Sequence, residues 1–129
     1  MDLRHAIDGQ FCWVDLAATD IRAATTFYRE LFGWQPSERA ANGGTFTRLR
    51  LADRDVASMY PLRKAQVDAG ATSHWTPYVR VADADDAAQR VKSLGGRVLV
   101  QPFAVTGVAR IALVQDGVGA QLGLWQSDG

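Results

Sequence analysis

One cysteine, two histidines and no surplus of either charge leave this 129-residue chain poor in the groups that many sites are built from. A single thiol, Cys12, excludes an intrachain disulfide and any zinc site made of several cysteines. Its neighbours Phe11 and Trp13 point to a buried structural thiol. Fourteen basic residues balance fourteen acidic ones, so no whole-chain attraction to nucleic acid or to an anionic membrane is expected. No apolar run reaches the roughly 18 to 20 residues that cross a bilayer, and "MDLRHAIDGQ" lacks the apolar centre of a secretory signal. A cytoplasmic protein with no nucleic-acid or membrane partner is the expectation. What is present is 47% hydrophobic and 22% charged residues, enough for the core of a single domain over 1–129 and too little for a second large one.

The chain reads as one pattern written twice. "FCWVDLAA" alternates and is rich in β-formers; "TDIRAATTFYRELFG" then sets Asp20 as an N-cap ahead of Ile21, Ala24, Phe27, Tyr28 and Leu31 at helical spacing, with Gly33 as C-cap. Three short strands, "WQPSE", "GTFTRLRL" and "DVASMYPL", follow between turn-forming "AANGG" and "ADR". In the second half "HWTPYVRV" reads as a strand and "ADADDAAQRVKSLGG" as a helix capped by Asp83 and ended at Gly95-Gly96. "RVLVQPF", "GVARIALVQ" and "GAQLGLWQ" then give three strands. Module one is expected over about 10–62 and module two over about 74–126. Residues 63–73 read as a polar linker, or as a short helix with a loop.

A sheet covered by a helix on one side leaves its other side for a different use. In the first strand Val14, Leu16 and Ala18 share one face and Trp13, Asp15 and Ala17 the other. The strand from residue 74 divides in the same way into Pro77, Val79 and Val81 against Thr76, Tyr78 and Arg80. The last strand divides into Ala120, Leu122 and Leu124 against Gln121, Gly123 and Trp125. Three strands therefore agree on an apolar face and a mixed face that carries large rings.

The strand followed by "TDIRAATTFYRELFGW", and later "VADADDAAQRVKSLGGRV" and "GVARIALVQDGVGAQLGLWQ", resemble the vicinal oxygen chelate superfamily, which includes glyoxalase I, extradiol dioxygenases, fosfomycin-resistance enzymes and bleomycin-resistance proteins. The resemblance runs over about residues 10–126. It implies an α+β fold in which two tandem βαβββ modules form a cup-shaped mixed β-sheet with the helices outside. In metal-dependent members four ligands, usually His, Glu or Gln, sit on the first and last strands of the modules. Here the resemblance places Trp13 and Thr76 on the first strands, and Met59 and Gly123 on the last. None of these is a usual ligand for a divalent metal, so neither metal nor cofactor is expected. His74 shares a strand face with Thr76, but with Asp15 it would supply two protein ligands where catalytic zinc takes three. The alternative for His74 is a partly exposed linker residue.

The expected function is therefore binding of a planar or amphipathic small molecule, aromatic or antibiotic-like, in the manner of the bleomycin-resistance proteins. The alternative is an enzyme of the same superfamily, a lyase, isomerase or dioxygenase, with or without a metal. Trp13, Phe46, Met59, Tyr78 and Trp125 are the candidate apolar walls, and Asp15, Arg48, Thr76, Arg80, Arg110 and Gln121 the polar minority, a mixture typical of small-molecule sites. Asp15 is the candidate catalytic group, a general base or acid if burial raises its pKa. Arg48 and Arg110 occupy corresponding strands, and either could neutralise Asp15. A homodimer is expected, with Trp34 and Trp75 as interface candidates.

Overall fold

The computed structural model describes residues 6–42 and 44–128, so His5 lies outside the described residues. The elements run β1 (Phe11–Ala18), α1 (Ile21–Phe32), β2 (Gln35–Ala41), β3 (Gly44–Leu51), β4 (Arg54–Pro61), α2 (Lys64–Asp68), β5 (His74–Arg80), α3 (Ala84–Ser93), β6 (Arg97–Val105), β7 (Ala109–Gln115) and β8 (Gln121–Ser127). This is the βαβββ pattern twice. The fold class is α+β.

The helix ends follow from single residues. Asp20 is extended and its carboxylate accepts from the Ala23 backbone N–H at 3.0 Å, which satisfies one of the donors that the first helical turn leaves open. Gly33 closes α1 in the left-handed region at φ 77°, where a side chain would be strained. Asp83 caps α3 in the same way, accepting from Asp86 at 3.0 Å. The segment read as a linker holds the short helix α2.

The chain divides into two compact units. One is Val14–Trp75; the other joins the segment up to Trp13 with Thr76 onward. Residues 63–73 thus lie in the unit Val14–Trp75, tied to it by the Thr19 N–H that donates to Ser73 Oγ at 2.9 Å. The first three residues of β1 belong with the other unit.

Inside Val14–Trp75 the strand order is β2-β3-β4-β1, and β4 and β1 run parallel with Asp15 beside Ser58 and Leu16 beside Met59. In the other unit the order β6-β7-β8-β5 repeats it, with β5 and β8 parallel and Tyr78 beside Gly123. Each helix covers one face of its own sheet. Ile21, Ala24 and Tyr28 of α1 pack on Leu16, Ala18, Leu49, Ala57 and Met59. Ala87 and Val91 of α3 lie against Ala112, Val114 and Leu124. Each large apolar side chain buried in this way contributes about 1.5–3 kcal/mol. The helices differ in one respect: α3 buries Ala84 and Ala88 fully, whereas α1 buries none of its residues.

Candidate functional site

The rings expected on the mixed face come together in the unit that holds β5 and β8. Tyr78, 2% exposed, lies edge-on to Trp125 at 5.8 Å between centroids. Trp13 meets Trp125 at 6.1 Å, with the planes tilted by 40°. The tyrosine ring has room because its neighbour on β8 has no side chain: a Cβ on Gly123 would stand 2.2 Å from Tyr78 Cδ2. Ile111 and Leu113 of β7 complete this cluster, and Gln121 Nε2 donates to Thr76 Oγ1 at 3.0 Å. The contacts join Trp13 of β1, Tyr78 of β5 and Trp125 of β8, and separately Thr76 of β5 with Gln121 of β8. Ile111 and Leu113 were missed because β7 is apolar on both faces.

Cys12 belongs to the same cluster and is buried. Burial pushes its thiol up to about 11, against a smaller lowering by the positive charge of Arg80. That arginine is itself held by the Ala6 carbonyl at 2.7 Å and by Asp8 at 3.4 Å. Because the folded-state value lies above the ordinary one near 9, the stability that the neutral thiol carries is intact below about pH 9 and falls as pH rises toward 11. The nucleophile is the thiolate. Iodoacetamide at pH 8 is therefore expected to modify Cys12 far more slowly in the native chain than in urea, and equal rates would show an accessible thiol.

In the unit Val14–Trp75 the corresponding face is polar. Ser58 Oγ, in a residue 8% exposed, donates to Asp15 Oδ1 at 3.1 Å. Tyr60 follows two residues on, and its phenol is pushed above its ordinary value first by burial and then by the negative charge of Asp15. Arg48 Nη1 donates to Asp55 Oδ2 at 2.8 Å, and its guanidinium carbon lies 5.9 Å from the centroid of the half-buried Phe46 ring.

Two placements differ from the sequence reading. Met59, fully buried, lies among Leu16, Leu49 and Ala57 beneath α1; Ser58 is the residue beside Asp15. Ser58 stands to Asp15 as Gly123 stands to Tyr78. The alternation of Ala57 and Met59 with Ser58 and Tyr60 was the signal that could have found it. Arg110 lies on the helix-covered side of β7, alternating with Ile111, and forms a bidentate pair with Asp85 of α3 through Nε at 2.7 Å and Nη2 at 3.0 Å. That hydrogen bonding holds Asp85 below the usual carboxylate range and Arg110 above its ordinary value. The two arginines expected near Asp15 are thus engaged with Asp55 and Asp85.

The positions that the resemblance assigns to metal ligands therefore carry an indole, a hydroxyl, a glycine and, with the corrected register, the Ser58 hydroxyl. That donor set does not fit Zn²⁺, Fe²⁺ or Mg²⁺. His74 Nδ1 is 2.8 Å from the Thr72 carbonyl, and among the described residues no three His, Cys, Asp or Glu side chains cluster as a metal site. None of the described helices is long and apolar enough to cross a membrane. A groove of about 710 Å³ between α1 and the β2–β3 pair, lined in part by Arg22, Arg29, Glu38 and Thr47, contains none of the expected site residues.

Residues 10–123 match the family model described as the Glyoxalase/Bleomycin resistance protein/Dioxygenase superfamily. The chain is 33% identical over 118 residues to the protein named "Putative glyoxylase CFP32" of Mycobacterium tuberculosis, covering 90% of this chain and 45% of that one. It is 30% identical over 132 residues to the anthracycline biosynthesis protein DnrV of Streptomyces peucetius, covering 92% of this chain and 47% of that one. The chain spans about half the length of the curated relatives it matches. Among solved structures, a methylmalonyl-CoA epimerase from Mycobacterium tuberculosis superposes with a TM-score of 0.65 at 19% identity, over 98% of this chain and 95% of that chain.

Proposed function

The chain belongs to the Glyoxalase/Bleomycin resistance protein/Dioxygenase superfamily, and from that premise we propose that it is a small-molecule-binding protein that holds a planar aromatic ligand without a metal. The observation that carries this reading is the ring cluster of Trp13, Tyr78 and Trp125. Tyr78 forms a buried floor, while both indoles stay partly open. Indole faces stack on flat molecules, and the nearby Thr76–Gln121 pair offers polar groups that can orient one edge. The relative named for anthracycline biosynthesis supports a planar, polyketide-like ligand.

The second reading is a metal-free enzyme of the same superfamily, favoured by the Asp15–Ser58 contact with Tyr60 close by. In it Asp15 takes up a proton and the Tyr60 phenol, kept protonated, supplies one. Turnover that survives Asp15→Asn would end this reading.

Titration with an anthracycline, with bleomycin and with methylmalonyl-CoA, followed by tryptophan fluorescence, tests the binding reading. An anthracycline is expected to quench saturably, and Trp13→Ala or Trp125→Ala to weaken its binding roughly tenfold, about 1.4 kcal/mol of lost stacking. Trp75→Phe should leave the affinity unchanged. Saturable binding indifferent to Trp13 and Trp125, or no binding of any probe, would overturn it.

A further inference from the structure

The groove beside α1 is lined wholly by residues of the unit Val14–Trp75. It exists because the helix-covered face of that sheet changes character along β3. Leu49 and Met59 fill the core under Ile21, Ala24 and Tyr28 of α1. Side chains two residues apart on a strand share a face, so next to Leu49 the same face presents Thr47, which lies between Met59 on β4 and Glu38 on β2. The stripe of α1 beside its core-packing residues faces this polar stretch. It carries Arg22, Thr25, Thr26 and Arg29, at the i, i+3, i+4 and i+7 spacing of one helix face. Arg48, Arg50, Arg80 and Arg110 each face a carboxylate. Among the described residues, no ion pair engages Arg22, Arg29 or Glu38.

We propose that this groove is a second binding site, which takes a polyhydroxylated small molecule with a phosphoryl group at each end, a sugar bisphosphate. Its volume of about 710 Å³ is that of a small-molecule site. About two turns of helix set the arginines roughly 10 Å apart along the axis, which suits two separate anionic groups better than one. A guanidinium fork pairs with phosphoryl oxygens through two parallel hydrogen bonds. The remaining groups select for hydroxyls. The Glu38 carboxylate accepts hydrogen bonds and repels any third anionic group. Thr25, whose hydroxyl donates to the Ile21 carbonyl at 2.7 Å, keeps lone pairs that accept from a ligand, and Thr26 and Thr47 add their own hydroxyls. The lining holds no aromatic ring, so nothing in it stacks a nucleobase, and its ligand differs in class from that of the ring cluster.

Isothermal titration calorimetry of the full chain with fructose 1,6-bisphosphate, fructose 6-phosphate and inorganic phosphate at low ionic strength tests this. The bisphosphate is expected to bind saturably, about tenfold tighter than either other probe, because it alone engages both forks. Arg22→Gln and Arg29→Gln should each lower its affinity roughly tenfold, to that of the monophosphate. Arg29 also lies in the last turn of α1, where a cation favours the helix dipole. Arg29→Lys keeps that charge without the fork, and should weaken binding several-fold with the melting temperature unchanged. Arg90→Gln, on α3, should leave binding as it is. Equal affinity for all three probes would show a general attraction of anions and overturn the proposal. So would bisphosphate binding indifferent to both arginines, or no saturable binding. Anthracycline quenching at Trp13 and Trp125 is read on the same variants and should not change, so the groove and the ring cluster can fail independently.

Discussion

Met59→Ala is expected to lower stability by about 3 kcal/mol, a fall in melting temperature of roughly 10 °C for a chain of this length. The side chain is fully buried among Leu16, Leu49 and Ala57, so its removal leaves a cavity that rigid β-strands and a capped helix fill only in part. Probe affinity should not change, because Met59 faces α1. Ser58→Ala should do the reverse in kind. It removes one hydrogen bond to the Asp15 carboxylate and should cost about 1 kcal/mol, with any effect on a ligand felt at the polar face. Urea denaturation and anthracycline titration on the same two variants decide the matter. A Met59→Ala protein of nearly normal stability that has lost binding would show the β4 register to be shifted by one residue.

Gly123→Ala is expected to cost about 2–3 kcal/mol, although it adds a single methyl group. The new carbon would stand 2.2 Å from Tyr78 Cδ2 and 2.6 Å from its Cγ, near the root of the ring, where rotation about the side chain gives little relief. The ring is 2% exposed and meets Trp125 edge-on, so it cannot retreat without displacing its neighbours. A double-mutant cycle makes the cause specific. Tyr78→Ala alone should be costly because it empties a large volume. Adding Gly123→Ala to it should then cost far less than it does in the wild type, a coupling of more than about 1 kcal/mol. Additive costs would mean that Gly123 is required for some reason other than the ring.

The helix caps and the two modules could be read from the chain because they rest on local chemistry. Asp20, Gly33 and Asp83 act within three or four residues of themselves, and the structure places each at the helix end it was expected to close. The faces of β1, β5 and β8 were legible for the same reason, since polar and apolar residues alternate cleanly there. β7 was different. Arg110 alternates with Ile111 in a strand otherwise apolar on both sides, and its side is fixed by a distant partner, Asp85 in the first turn of α3. Met59 was misplaced because the offset between a first and a last strand depends on the intervening turns. Its own strand held the answer in the alternation of Ser58 and Tyr60 with Ala57 and Met59. Neither error changes the fold.

The four tryptophans are divided evenly between the two units: Trp34 and Trp75 lie in Val14–Trp75, and Trp13 and Trp125 in the other. The chain therefore carries two native optical reporters of folding cooperativity. With one pair replaced by phenylalanine, the remaining emission follows a single unit through denaturation, and comparing the two midpoints tells whether the halves of this duplicated chain melt as one or in turn.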